Sequence, residues 1–280
     1  MKPLTMYQTA ALMLCFTAAH IFTLRPEGAN LVVCIGAETA AAGIVFVIAI
    51  IINSLPALHG WAGKAVSALA GTFFLAAFLF ILIGYCEEVQ FSFPEFYSLP
   101  MTAAVLAAAT VYCASMGLSG CVRSACAAVV MTVIVLAVMS GGAASGFDPD
   151  RLNLAVSDRE GQFTRQLISA LARSWELPLL VLLMRRTGRP VRAAALYALG
   201  RAALTAGILT VCAGVLGSVG QERQPVMMLA SFAKTVIVER FDALMLLFWT
   251  LCTLLAGAGL LWAAWHCLQG VMGKAERRKA

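Results

Sequence analysis

Apolar runs of about twenty residues recur from one end of the chain to the other, parted by short polar turns. Eight such runs can be laid out as spans: 6–24, 31–55, 65–86, 101–116, 122–140, 163–184, 193–219 and 241–269. A hydrocarbon core ~30 Å thick needs about twenty apolar residues as helix, so each run has roughly the length of a crossing. A transmembrane barrel would show short alternating segments instead. The pattern predicts an all-α, polytopic membrane protein whose 280 residues form a single transmembrane domain.

Composition sharpens this picture. The chain is 61% hydrophobic and 12% charged, against roughly 25% charged in soluble domains. The opening stretch Met1–Pro26 has one Lys, a long apolar run and no small-residue cleavage site ahead of a soluble domain, so the first helix is expected to remain. Basic residues fall on alternate turns: Lys2, Lys64, Arg123, the group Arg185, Arg186, Arg189 and Arg192, and the tail from Lys274. The opposite side carries Glu87, Glu88, Glu95 and two longer loops, 141–162 and 220–240. The positive-inside rule then places both termini in the cytoplasm. The net charge of +6 follows from this topology and implies no nucleic-acid partner.

The nine cysteines are scattered through apolar runs without a CxxC pair, as small buried hydrophobes would be, and the three histidines are apart from one another. No metal spacing, Gly-rich phosphate loop, GxSxG elbow or nucleophile–base pair occurs. Nothing in the sequence supports enzymatic chemistry or calls for a cofactor.

Ionisable groups inside spans are costly, which makes each a candidate site. The sixth span reads "ARSWELPLLVLLMRR": Arg173 and Glu176 precede Pro178, and the wholly apolar run after them is too short to cross alone. Proline lacks an amide donor and disfavours helix just before itself, so a break around Ser174–Leu177 is predicted. Such a break persists only where it is buried or lines a cavity. Arg173 and Glu176, three residues apart, can share a helix face and pair. That pair either flanks a cavity or satisfies itself structurally. Glu38, in the second span, faces either the bundle interior beside Gly36, Ala37 and Thr39 or the outer interface. Asp242 opens the eighth span, as a complement to the helix dipole or as a ligand group. Glu87 and Glu88 form either a solvated face or an acidic vestibule for cations.

Several segments, in order, resemble the spore-germination permease family, the GerAB-type B subunits of germinant receptors within the amino acid–polyamine–organocation superfamily. They are "LTMYQTAALML" at the start with Gln8, "SFPEFYSLP" after the third span, "DRLNL" after the fifth, "SWELPLLVLLMRR" in the sixth, and "ERFDALMLLFWTLCTLLAGAGLLWAA" with Arg240, Asp242 and Trp249 in the eighth. The resemblance implies an inverted-repeat, LeuT-like bundle with a discontinuous sixth helix. Against the family's ten helices, the chain would form an incomplete version of it. The family's first helix is broken by a small residue. Here Leu24, Arg25 and Pro26 are present without a Gly break before them.

By resemblance, the chain would be a receptor subunit in the spore inner membrane or cell membrane. It would bind an amino acid-like nutrient between the first, third, sixth and eighth spans and signal to partner subunits in the bilayer. Ser174, Glu176 and Leu177 at the break, with Arg173, Glu38 and Asp242, are the candidate ligand residues. Glu176 would hold an amine or shape the break, and backbone groups would complete the site. An amino acid or solute permease and a ligand-free membrane scaffold are the alternatives.

Overall fold

The computed structural model describes residues 3–22, 24, 30–56, 60–92, 98–152, 159–217, 225–233 and 241–272. Several expectations fall outside these residues: the turn at Arg25 and Pro26, most of the "SFPEFYSLP" turn, the end of "DRLNL", Glu239 and Arg240, and the basic tail.

Ten α-helices account for nearly all of the described chain. They are α1 (Met6–Phe22), α2 (Leu31–Ser54), α3 (Gly60–Ser92), α4 (Leu99–Ser115), α5 (Gly117–Ala143), α6 (Arg159–Ala172), α7 (Leu177–Met184), α8 (Pro190–Leu216), α9 (Pro225–Phe232) and α10 (Phe241–Met272). Five of them, α2, α3, α5, α8 and α10, are long and apolar enough to cross a membrane. A sixth crossing is made if α6 and α7, bent by 52° at a short break, count as one span. α1 and α4 are apolar but have 17 residues each, at the short end of what can span. Eight crossings therefore require both of these to be counted.

The starts of these helices follow local chemistry. Asn30 caps α2 by accepting from the Val32 amide at 2.9 Å. Prolines stand in the first turns of α4, α7 and α8, where a missing amide leaves no helical bond unmade. Gly117 turns the chain between α4 and α5 with φ +78°, a conformation that side chains disfavour.

α10 runs through the bundle, packed against α1, α3, α4 and α5, while α2 lies along α8 and α6. Trp249 and Tyr197 are among the largest fully buried side chains. Leu69, Val105, Leu199 and Leu247 point outward and are more than half exposed, an exterior suited to hydrocarbon rather than water. The segment expected to be an outer loop after α8 instead holds α9, whose Val226 and Leu229 are completely buried in the bundle.

The segment after α7 meets both the residues before α1 and the last turns of α10. The Leu4 amide donates to the Arg186 carbonyl at 3.1 Å, and the Gly188 amide donates to the Leu4 carbonyl at 3.4 Å. Near the end of α10, Arg186 Nη2 lies 2.7 Å from His266 Nε2 and its guanidinium stacks over Trp262. The start of α1 and the end of α10 thus share a face with the Arg185–Arg192 group.

Small residues allow the closest helix approaches. A Cβ on Gly257 of α10 would stand 2.9 Å from Thr110 Cγ2 of α4 and 3.3 Å from the Phe78 ring of α3. Both neighbours are packed in place, and the β-branched threonine has little rotamer freedom. Gly257→Leu is therefore expected to separate the helices and cost about 1–3 kcal/mol. The check is the thermal unfolding midpoint of the detergent-purified protein beside Gly43→Leu, where a Cβ meets nothing within 4 Å.

Candidate functional site

α6 ends at Ala172, and α7 starts at Leu177 with Pro178 at its second position. The sequence has little choice here. Pro178 cannot donate, so the helical ladder is interrupted, and the preceding residues turn instead. The Ser174 amide donates to the Leu171 carbonyl at 3.0 Å and the Leu177 amide to the Ser174 carbonyl at 3.2 Å. The Ser174 hydroxyl donates back to the Ala170 carbonyl at 2.9 Å. The discontinuity predicted from Pro178 is present at 173–176. The amides of Arg173, Ser174 and Leu177 are all bonded within the chain, so an amide of the break offered to a ligand would have to be that of Trp175 or Glu176.

The break places its side chains against one cation, Arg201, halfway along α8 and 2% exposed. Arg201 Nη1 donates to Glu176 Oε1 at 2.5 Å and to Ser174 Oγ at 3.1 Å, and Nη2 donates to Glu38 Oε2 at 3.2 Å. Tyr197, one turn earlier on α8, donates its hydroxyl to Glu176 Oε1 at 2.7 Å. The other oxygen of Glu38 faces Arg173 Nη2 at 3.3 Å and His20 Nε2 of α1 at 3.5 Å. Two carboxylates and two guanidiniums from α2, the break and α8 thus form one buried, balanced network.

This corrects the pairing expected from spacing. Arg173 reaches across to Glu38 on α2, whereas Glu176 pairs with Arg201. The turn at Ser174 is the cause: once the helix unwinds, residues three apart no longer share a face. It also settles the orientation of Glu38, which is 2% exposed and points into the bundle. Arg201 and Tyr197 were missed by the sequence reading. Their signal was available, because an arginine amid "ALYALGRAALTAG" is as costly within a span as the glutamates are. Tyr197 lies four residues earlier on the same helical face.

Beside the network is a cavity of about 340 Å³. Its wall is built by α1 (Phe16, Ala19, His20), α3 (Phe80, Gly84, Tyr85, Glu87, Glu88), the break (Arg173, Trp175, Glu176) and α10 (Trp249, Thr253, Leu260). Aromatic packing frames it: Tyr85 and Trp249 meet edge to face at 4.9 Å between centroids, and Phe80 and Trp175 at 4.0 Å. The Tyr85 and Thr250 hydroxyls bond across α3 and α10. Of the six candidate residues, Arg173 and Glu176 line this cavity. Glu38 and Ser174 brace it from behind through Arg173 and Arg201. Leu177 begins α7 with its amide spent on Ser174, and Asp242 stands in the first turn of α10, two turns before Trp249. Glu88 is 6% exposed, so the solvated-face reading holds for Glu87 and fails for Glu88. α1 runs without a break from Met6 to Phe22 and supplies side chains, not backbone, to the wall.

A family model described as spore germination protein matches residues 50–279. The match takes in α3 to α10, including the break, Arg201 and Trp249, and begins after the N-terminal stretch on which part of the resemblance rested. No curated protein matches the chain.

Truncating one partner of a buried ion pair leaves an uncompensated charge and typically costs about 3–5 kcal/mol. Arg201→Leu strands Glu176 and leaves Glu38 with Arg173 alone as its guanidinium partner, so it is expected to lower the unfolding midpoint far more than Arg173→Leu, after which both carboxylates still hold Arg201. Thermal unfolding of the two variants in the same detergent gives the comparison.

Proposed function

We propose, on the premise that the chain belongs to the spore germination protein family, that it is the membrane subunit of a germinant receptor. The cavity beside the α6–α7 break takes a small, amino acid-like nutrient. The observation that carries this reading is the break itself. Four residues of unwound chain are held at the wall of a cavity of about 340 Å³ by Arg201, among helices α1, α3 and α10. Unwound backbone inside a membrane bundle is tolerated where it meets protein or a cavity, and discontinuous helices serve small-solute sites in permeases. The volume suits a small solute, and the aromatic walls supply apolar contact area.

A ligand touching Trp175 would pull on the side of the break away from Arg201, and one touching Glu176 would bear on the bond that Arg201 makes to it. Arg201 joins the break to α2 through Glu38 and to α8, so occupancy would shift those helices relative to one another. In a receptor this displacement is what partner subunits read. The family's permease-like character keeps solute transport as the second reading, and uptake into proteoliposomes separates the two. In the proposed topology both termini and the Arg185–Arg192 group face the cytoplasm.

Thermal stability of the purified protein against amino acids and nucleosides tests the reading. A ligand that binds only the native state at ~100 times its Kd stabilises by about 2.7 kcal/mol. Selective stabilisation is expected, and is expected to vanish in Gly84→Phe. That variant adds a ring at a wall position where a Cβ meets nothing within 4 Å. No shift across the panel would favour a ligand-free scaffold.

A further inference from the structure

We infer that the turn between α7 and α8 docks the headgroups of anionic phospholipids on Arg185, Arg189 and Arg192. The inference is independent of what the cavity takes.

These arginines differ from the other guanidiniums of the bundle. Arg173 and Arg201 are spent on carboxylates. Arg186 is turned inward, 2.7 Å from His266 Nε2 and stacked over Trp262. Arg185, Arg189 and Arg192 are exposed, and their side chains make no hydrogen bond or ion pair with any described residue. No described carboxylate is at hand to neutralise them. The described acidic residues lie in the central network, late in α3, just after α5, or at the starts of α6 and α10, whereas this turn meets the end of α10. The sequence that follows α10 adds Lys274, Arg277, Arg278 and Lys279 against one acid, Glu276. Like charges so close along the chain repel one another unless an anion comes from outside.

Depth decides which anion. α7 has eight residues, a rise of ~12 Å, so Arg185 stands about that far from the break. Arg189 immediately precedes α8, and ~18 Å of helix rise separates it from Arg201. Both distances are close to ~15 Å, half the thickness of the hydrocarbon core. With the buried network at mid-bilayer, the three guanidiniums reach the level of the lipid phosphates. Trp265, beside His266 and 59% exposed, marks the same level, where tryptophans gather. A guanidinium fork matches the paired oxygens of a phosphodiester, and basic clusters at a membrane edge attract anionic lipid. Lipid held here would fix the turn that joins α7, which starts at the break, to α8, which carries Arg201.

The test titrates the full chain, in a neutral detergent, with phosphatidylglycerol, phosphatidylcholine or inorganic phosphate and follows the thermal unfolding midpoint. Saturable stabilisation by phosphatidylglycerol is expected, weakening as ionic strength rises, with none from the other two. The lipid concentration giving half the shift should rise about fivefold in Arg189→Gln. It should not change in Arg123→Gln, which removes an exposed arginine near the start of α5. Combining Arg185→Gln, Arg189→Gln and Arg192→Gln should abolish the shift, and Arg189→Gln alone decides if the triple variant does not fold. No shift with phosphatidylglycerol, or an equal one with phosphatidylcholine, would overturn the inference. So would a full shift with inorganic phosphate, which would make the turn a free-phosphate site. An unchanged response in Arg189→Gln, or an equal loss in Arg123→Gln, would also overturn it, because the lipid would then not be held by this turn.

Discussion

A guanidinium buried halfway along an apolar helix cannot be left without anions, and this constraint organises the centre of the molecule. Arg201 is 2% exposed and bonds to Glu38, Glu176 and Ser174. Each of these belongs to a different part of the chain or to the break itself. To satisfy one cation, α2, α8 and the α6–α7 junction must come together in a single register. The desolvation of four charges is not recovered as net stability in such clusters, whose better-attested role is to specify an arrangement. Here the arrangement specified is an unwound turn at mid-bundle.

Pro178 makes that turn available, and Arg201 makes it definite. Proline removes a donor and weakens the preceding helical turn, but this alone would permit a kink in many directions. The bond from Arg201 to the Ser174 hydroxyl and the carboxylate of Glu176 fixes one of them. The side chains that do not face Arg201, Trp175 above all, are then turned toward the cavity shared with α3 and α10. The apolar anchor on the far side is Trp249, packed on Phe22 and Tyr85. Polar network and aromatic wall thus meet at the break.

The helices could be read from the sequence because apolar runs bounded by Gly, Pro and charge leave few alternatives in a bilayer. The break was legible because Pro178 has a local effect. Partner choice was not. Arg173 and Glu176 are three residues apart, and spacing on an intact helix pairs them. The unwinding that the same sequence causes sends them to different partners. Glu38 could be flagged as costly but not oriented, since pairing across 163 residues depends on how α2 meets α8. α9 was hidden for another reason: its eight residues, mostly apolar but including Ser231, are too few to read as a span. Arg201 needed only the rule already applied to the glutamates.

The central claim is that Arg201, and not Arg173, is the partner that holds Glu176 and with it the break. Double-mutant cycles on the unfolding free energy measure this directly, pairing Glu176→Gln once with Arg201→Gln and once with Arg173→Gln. The account predicts a coupling above ~1 kcal/mol for the Arg201 cycle and one within ~0.5 kcal/mol of zero for the Arg173 cycle. Strong coupling of Glu176 to Arg173, with additivity to Arg201, would contradict it.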